Sequence, residues 1–245
     1  MTGATSGIGR ATACALAVAG ARVLVTGRDA GRGAAVVAEI RAGGGEASFH
    51  AADLRSTAAI DELVGVAADR FGPIDIAFNN AGIFDRMRAF DRYDDNAWDE
   101  MIAVNLSSVF RCMRAEIAAM LAAGGGVIVN NASTVGHRGS DRASPAYVAA
   151  KHGVIGLTRQ AALEYVERGI RVNAVSPGPT RTAVSAPLEA QGAERVRSVL
   201  SALNPTGQFV AAEDVAATVV FLCTDAASMI NGHDIPLDGG QLAKL

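Results

Sequence analysis

MTGATSGIGR (residues 1–10) sets three glycines in a Thr2-Gly3-x-x-x-Gly7-Ile8-Gly9 turn. The spacing differs from G-x-G-x-x-G, but the physical logic is the same. Gly3 permits a sharp turn, and Gly7 lets backbone amides approach a pyrophosphate. Gly9 lets the following helix pack closely with its N-terminal dipole toward the phosphates. A turn of this kind normally ends a β-strand, yet only Met1 stands before it. The strand is therefore expected to be missing from the chain as written. Either the natural protein begins upstream of Met1, or the sheet is visibly compromised beside the turn.

Outward from the turn, 245 residues, 50% hydrophobic and 19% charged, suffice for one sizeable core, read as a single domain over 1–245. A net charge of −3 offers no basic field for nucleic acid or an anionic membrane, which leaves small molecules as partners. Cys14, Cys112 and Cys223 are odd in number and far apart, which argues against a secreted disulfide framework and for a reducing compartment. Arg10 and the ATACALAVAGA after it imitate a signal peptide, but the run is alanine-rich and the glycines before it have a better use. No apolar run approaches the ~20 residues that span a bilayer, so a cytoplasmic protein is expected. His50, His137, His152 and His233 are scattered without ligand spacing, and no metal site is expected.

Apolar runs at 21–27, 47–53, 74–82, 126–133, 170–178 and 233–240 read as strands. Segments near 8–19, 30–42, 57–70, 97–122, 146–168 and 213–224 carry alanine, leucine and charges at helical spacing. This alternation predicts an α/β fold, a Rossmann-like doubly wound parallel sheet with helices on both faces, lacking its first strand. Ligands in such sheets bind at the carboxyl ends of the strands. The stretch 183–205 carries neither a strong period nor a turn cluster, and reads as a mobile lid.

Tyr147 and Lys151, in YVAAK, are four residues apart on a predicted helix and project from one face. A phenol ordinarily titrates near ~10, and bringing it to about 7 takes roughly 4 kcal/mol. A neighbouring ammonium contributes by Coulomb attraction, fitting Tyr147 for proton exchange with a hydroxyl or carbonyl near neutral pH. Upstream, NNASTVG places Ser133 and Thr134 at the carboxyl end of a strand, where a hydroxyl can bond a substrate oxygen. Asn105, in VNLSSVF, is an amide on an apolar helix face and needs partners there.

Thr-Gly-x-x-x-Gly-x-Gly, NNAG at 79–82, Asn105, the serine, Tyr-x-x-x-Lys and SPG at 176–178, in that order, resemble the short-chain dehydrogenase/reductase family from residue 2 to about 240. The resemblance implies that Tyr147 is the catalytic acid/base. It makes Lys151 its pKa-lowering partner and a ligand of the nicotinamide ribose, and Asn105 the holder of a proton-relay water. Ser133 completes the tetrad, with Thr134 as alternative because the interval to Tyr147 is one residue longer than is common. Ser144 reads instead as the helix-entry residue before Pro145. The implied cofactor contacts are Gly3, Ser6, Gly7, Ile8 and Gly9 in the turn, and Asp53 and Leu54 at the adenine. The stretch from Asn79 to Gly82, with Asn79, Ala81 and Gly82 as its contacts, would lie at the adenosine ribose, and Pro177, Gly178, Thr180 and Thr182 at the carboxamide and phosphates.

The function so implied is NAD(P)-dependent interconversion of a secondary alcohol and a ketone, the positive nicotinamide helping Lys151 to lower the phenol. A non-catalytic dinucleotide sensor is argued against by the intact Tyr147 and Lys151. A sugar-nucleotide epimerase or dehydratase would need a larger C-terminal domain than the residues after Thr180 supply. Gly27 stands where NAD-preferring relatives carry an acidic residue, leaving room, and Arg28 offers a fork of donors to a 2′-phosphate, so NADP is the expected cofactor over NAD. Ala149, Gly153 and Gly156 make further sides of the 146–168 helix small, which predicts burial on more than one side. With the resemblance, this implies a homotetramer built on that helix and the one near 97–122.

Overall fold

A computed structural model describes residues 1–85 and 88–244. All six expected strands are present: β1 (Val23–Gly27), β2 (Ala47–Ala51), β3 (Ile76–Asn79), β4 (Gly126–Asn131), β5 (Ile170–Pro177) and β6 (Asp234–Leu237). Every pairing among them is parallel. The main helices are α1 (Gly7–Val18), α2 (Ala30–Ala42), α3 (Thr57–Phe71), α4 (Asp95–Ile102), α5 (Ser108–Ala123) and α6 (Pro145–Tyr165). They continue with α7 (Ala186–Glu189), α8 (Ala193–Leu203) and α9 (Ala212–Leu222).

Alternating strand side chains feed two opposite layers. Ala77, Ile128 and Val172 pack with Val109 and Met113 of α5 and Val154 of α6. Their neighbours Phe78, Val129 and Val175 pack with Val215 and Val219 of α9 on the other face. The sheet is thus doubly wound, as the sequence leads one to expect.

The sheet is also in two pieces, β1–β2 and β3–β4–β5–β6. Residues 1–4 lace them together at one end only. The Met1 amine donates to the Leu24 carbonyl at 3.0 Å, Thr2 N–H to Phe78 at 3.0 Å, and Ala4 N–H to Thr26 at 2.9 Å. Beyond Met1 the two edges border a cavity of about 320 Å³, lined by Leu24, Leu63, Ile76, Ala77 and Glu116 among others.

The 183–205 segment departs from its reading as aperiodic. It holds α7 and α8, and the stripe Val196, Val199, Leu200, Leu203 is a helical period set among Glu194, Arg195 and Arg197. Leu200 is buried, and Asn204 pins the segment's end by donating to the Gln208 carbonyl at 3.0 Å.

Candidate active site

The glycine turn is built as its spacing predicts. Gly3 has φ +59°, and a Cβ there would stand 2.7 Å from Ala81 Cα. A Cβ on Gly9 would meet the Gly3 carbonyl oxygen at 2.1 Å, so only glycine lets α1 start this close to the turn. The Thr2 hydroxyl accepts from the Asn80 and Ala81 amides at 3.0 and 3.1 Å. Asn80 in turn donates through Nδ2 to the Gly3 carbonyl at 3.0 Å, locking the turn to the end of β3.

From this turn a groove runs across the carboxyl ends of the strands. Its first half, about 380 Å³, is lined by Gly3, Ser6, Gly7, Ile8 and the 80–83 backbone, with Arg28, Asp53 and Leu54 at the far end. Its second half, about 330 Å³, reaches Ser133 and Tyr147 past Pro177, Gly178 and Thr180. Ile8, Thr182 and Val184 line both halves and make them continuous. The sequence-marked residues outside the groove are Asn79, Asn105, Lys151 and Gly9.

Asn79 needs correction as a ribose contact. Its side chain points into the core, donating to Glu116 Oε2 at 2.9 Å and Asn130 Oδ1 at 3.1 Å. Strand alternation gives the groove to Asn80, the next residue of the same 79–82 stretch. Gly27 is corrected in its reason: it leaves no room, because a Cβ would stand 2.6 Å from the Thr5 methyl. Asp29 is engaged as the N-cap of α2, accepting from Arg32 N–H and Nε at 3.0 and 2.8 Å. Arg28 makes no hydrogen bond or ion pair among the described residues. Asp53 is gripped by Arg55, Nε to Oδ1 at 3.0 Å and Nη2 to Oδ2 at 2.5 Å, which holds its carboxyl down at about 2.

At the other end, Ser144 caps α6 by accepting from Tyr147 N–H at 3.2 Å, with Pro145 in the first turn. That start places Tyr147 facing Phe84 edge-on, ring centroids 5.1 Å apart. Ser133 begins the one-turn 3₁₀ helix Thr134–Gly136, its hydroxyl accepting from Val135 N–H at 3.4 Å, and lines the groove with Tyr147, while Thr134 is buried and donates toward Gln241 at 3.5 Å. Of the two hydroxyls, that of Thr134 is buried and turned to Gln241.

Lys151 is buried and donates to the Asn131 carbonyl at 2.7 Å, its Nζ 5.6 Å from the Tyr147 ring centroid. Burial brings its ammonium down to about 8. The same burial pushes the Tyr147 phenol up, with the nearby Ser133 hydroxyl working against it. Desolvation thus opposes the lowering of the phenol that Lys151 and a positive nicotinamide would supply together.

Asn105 sits in a π-helical turn, Ala103–Ser107, between α4 and α5. Its side chain finds the partners a buried amide needs, accepting from Ile83 N–H and donating to the Ile83 carbonyl, both at 2.8 Å. It thereby anchors the 82–84 segment that carries Phe84 to Tyr147.

The chain matches, over residues 3–241, the profile of the family described as enoyl-(acyl carrier protein) reductase. It is 42% identical over 244 residues to the cyclohexanol dehydrogenase of Acinetobacter sp. (strain SE19), covering all of this chain and 94% of that protein. It is 37% identical to the levodione reductase of Leifsonia aquatica, over 99% of this chain and 93% of that one. Among solved structures, a levodione reductase superposes with a TM-score of 0.93 at 35% identity, covering 100% of this chain and 96% of the other. A single-residue variant of the actinorhodin polyketide ketoreductase, solved with NADPH, gives 0.92 at 35%, covering 98% and 95%. By these full-length likenesses the chain belongs to the short-chain dehydrogenase/reductase family, as an oxidoreductase acting on CH–OH groups.

Proposed function

We propose that this enzyme interconverts compact, mainly alicyclic secondary alcohols and their ketones, with NADP(H) preferred over NAD(H). One observation carries the reading: Ser133 and the phenol of Tyr147 stand together at the end of a groove that starts on a glycine turn built for a pyrophosphate. The fit of a dinucleotide rests on that turn, where Cβ atoms at Gly3 and Gly9 would collide with backbone and the amides at the start of α1 border the groove. Gly3, Ser6, Gly7, Ile8 and Thr182 would hold the phosphates, Asp53 and Leu54 the adenine, and Pro177, Gly178 and Thr180 the carboxamide. When bound, the nicotinamide supplies or accepts the hydride.

Tyr147 gives its phenolic proton to the substrate oxygen in reduction and takes it back in oxidation, while Ser133 orients that oxygen by a hydrogen bond. Lys151 keeps positive charge beside the phenol at neutral pH, and Asn105 fixes the wall that carries Phe84. Arg28, exposed at the groove's far end, takes a 2′-phosphate. The structure of a 35%-identical ketoreductase with NADPH supports the same choice.

Substrate size and polarity are argued from the walls. Phe84, Ala132, Val135, Pro179 and Leu203 give the groove beside Tyr147 an apolar wall, and relatives include a cyclohexanol dehydrogenase and a levodione reductase. The 183–205 segment, which lends Val184 and Leu203, serves as the lid.

The chain assembles as a homotetramer through α5 and α6, where Phe110 and Leu163 are exposed. Gly153 is spent inside the chain, since a Cβ there would stand 2.7 Å from Leu106, and Gly156 opens on nothing within 4 Å. No helix among the described residues is long and apolar enough to cross a membrane, and three free cysteines suit a reducing, cytoplasmic setting. The test is turnover at the reduced-nicotinamide absorbance band with cyclohexanol, cyclohexanone and open-chain analogues. Alicyclic turnover is expected; cofactor binding with no turnover across the panel favours a dinucleotide sensor.

A further inference from the structure

Asp234 buries a carboxyl side chain in the edge strand β6. β6 runs beside β5 with Ala174 opposite Asp234 and Ser176 opposite Pro236, and the Asp234 side chain is only 3% exposed. A buried carboxylate costs several kcal/mol unless partnered, and an apolar residue there would cost nothing. Its Oδ2 accepts from the Ser176 hydroxyl at 2.7 Å and pairs with His137 Nε2. Its Oδ1 is buried without a partner among the described residues. Facing a carboxylate, His137 presents Nε2 as the donor.

The two partners come from two segments that line the groove beside Tyr147, the turn after β4 and the end of β5. His137 ends the 3₁₀ turn that Ser133 begins, through His137 N–H to Thr134 O at 3.2 Å and Gly136 N–H to Ser133 O at 2.8 Å. Ser176 immediately precedes Pro177 and Gly178, which line the same half of the groove as Ser133. A single carboxylate oxygen thus ties the substrate-side turn to the cofactor-side loop. A misplacement of about 1 Å between reacting groups can cost 10²-fold in rate, so such a tie has work to do.

We propose that Asp234 is a positioning residue, acting through His137 and Ser176 to hold the Ser133 turn in register with the Pro177–Thr180 loop. This rests on Ser133 being the residue that orients the substrate oxygen.

The test uses the full chain carrying Asp234→Val, His137→Leu, His137→Gln, the Val/Leu double substitution and, as a control, Ser133→Ala. In the ligand-free protein, both Asp234→Val and His137→Leu should speed amide exchange in 133–137 and 176–180 together, without lowering the melting temperature of Asp234→Val. In steady state each should lower kcat tenfold or more, with KM for the cofactor within twofold. His137→Gln, which keeps an Nε2–H donor at similar reach, should recover most of the loss. The double variant should be no worse than Asp234→Val, as expected of residues acting as one unit. Unchanged kcat in both single variants, failure of the Gln rescue, or losses that multiply in the double variant would each overturn the proposal. Unchanged kcat in Ser133→Ala alone would instead defeat the assignment of Ser133.

Discussion

Lys151 Nζ donates to the Asn131 carbonyl at 2.7 Å, so the ammonium nearest Tyr147 is held by β4 as well as by its own helix. Burial brings that ammonium to about 8 from an ordinary 10.5. Between those values the unfolded chain binds the proton and the folded chain releases it, so stability rises with pH across this window. The burden of burying the charge is fully present below pH about 8. Lys151→Met removes the burden. Urea midpoints at pH 7.5, 9 and 10.5 should show wild type gaining on Lys151→Met, on the order of 3 kcal/mol across the range. A difference that stays flat contradicts the burial of a charged lysine.

Thr5 and Gly27 are matched, since any side chain at 27 begins inside the Thr5 methyl. An acidic residue for a ribose 2′-hydroxyl therefore has no place there, while Arg28 is free to meet a 2′-phosphate. Arg28→Ala should raise KM for NADP(H) about tenfold or more, the scale of one charge-assisted contact, and leave KM for NAD(H) within twofold. Equal effects on the two cofactors would refute the role. Gly27→Asp alone should destabilise without creating NAD(H) preference, and Thr5→Gly with Gly27→Asp should restore stability.

The cavity between β1 and β3 borders the half-buried amine of Met1 and the buried carboxyl of Glu116. Burial pushes Glu116 up to about 7, against the hydrogen bond from Asn79, and lowers the amine of Met1. An engineered extension of six alternating apolar residues ahead of Met1 would turn that amine into an amide, with the same bond to Leu24 and no charge. It would also fill the cavity with side chains worth ~1.5–3 kcal/mol each. The melting temperature should rise on the order of 10 °C, and a Gly/Ser extension of the same length should not raise it. Equal melting temperatures would show that the slot does not accept a strand.

Most of the architecture is legible in the chain because two periods, 2 and 3.6, alternate across it, and because the glycine turn and the Tyr147/Lys151 pair are local. What failed is what depends on parity or on distant partners. The choice between Asn79 and Asn80 turns on which way the last residue of β3 faces, and NNAG does not state it. α8 was readable from Val196, Val199, Leu200 and Leu203, but its stripe is narrow among charges. The grip of Arg55 on Asp53 and the meeting of His137 with Asp234 are set by folding, the latter across 97 residues. The rise in the Tyr147 phenol follows from burial, which spacing on a helix does not report.

The central claim is that Tyr147 moves the proton at the substrate oxygen, and Tyr147→Phe tests it most directly. The ring and its edge contact with Phe84 stay, so cofactor affinity should remain within about twofold. Turnover should fall by the ~10²–10⁴ that general acid–base catalysis supplies. Steady-state rates on any alcohol or ketone the wild type converts, beside cofactor titration of the same sample, give both numbers. Near-normal turnover with Phe at this position would contradict the account.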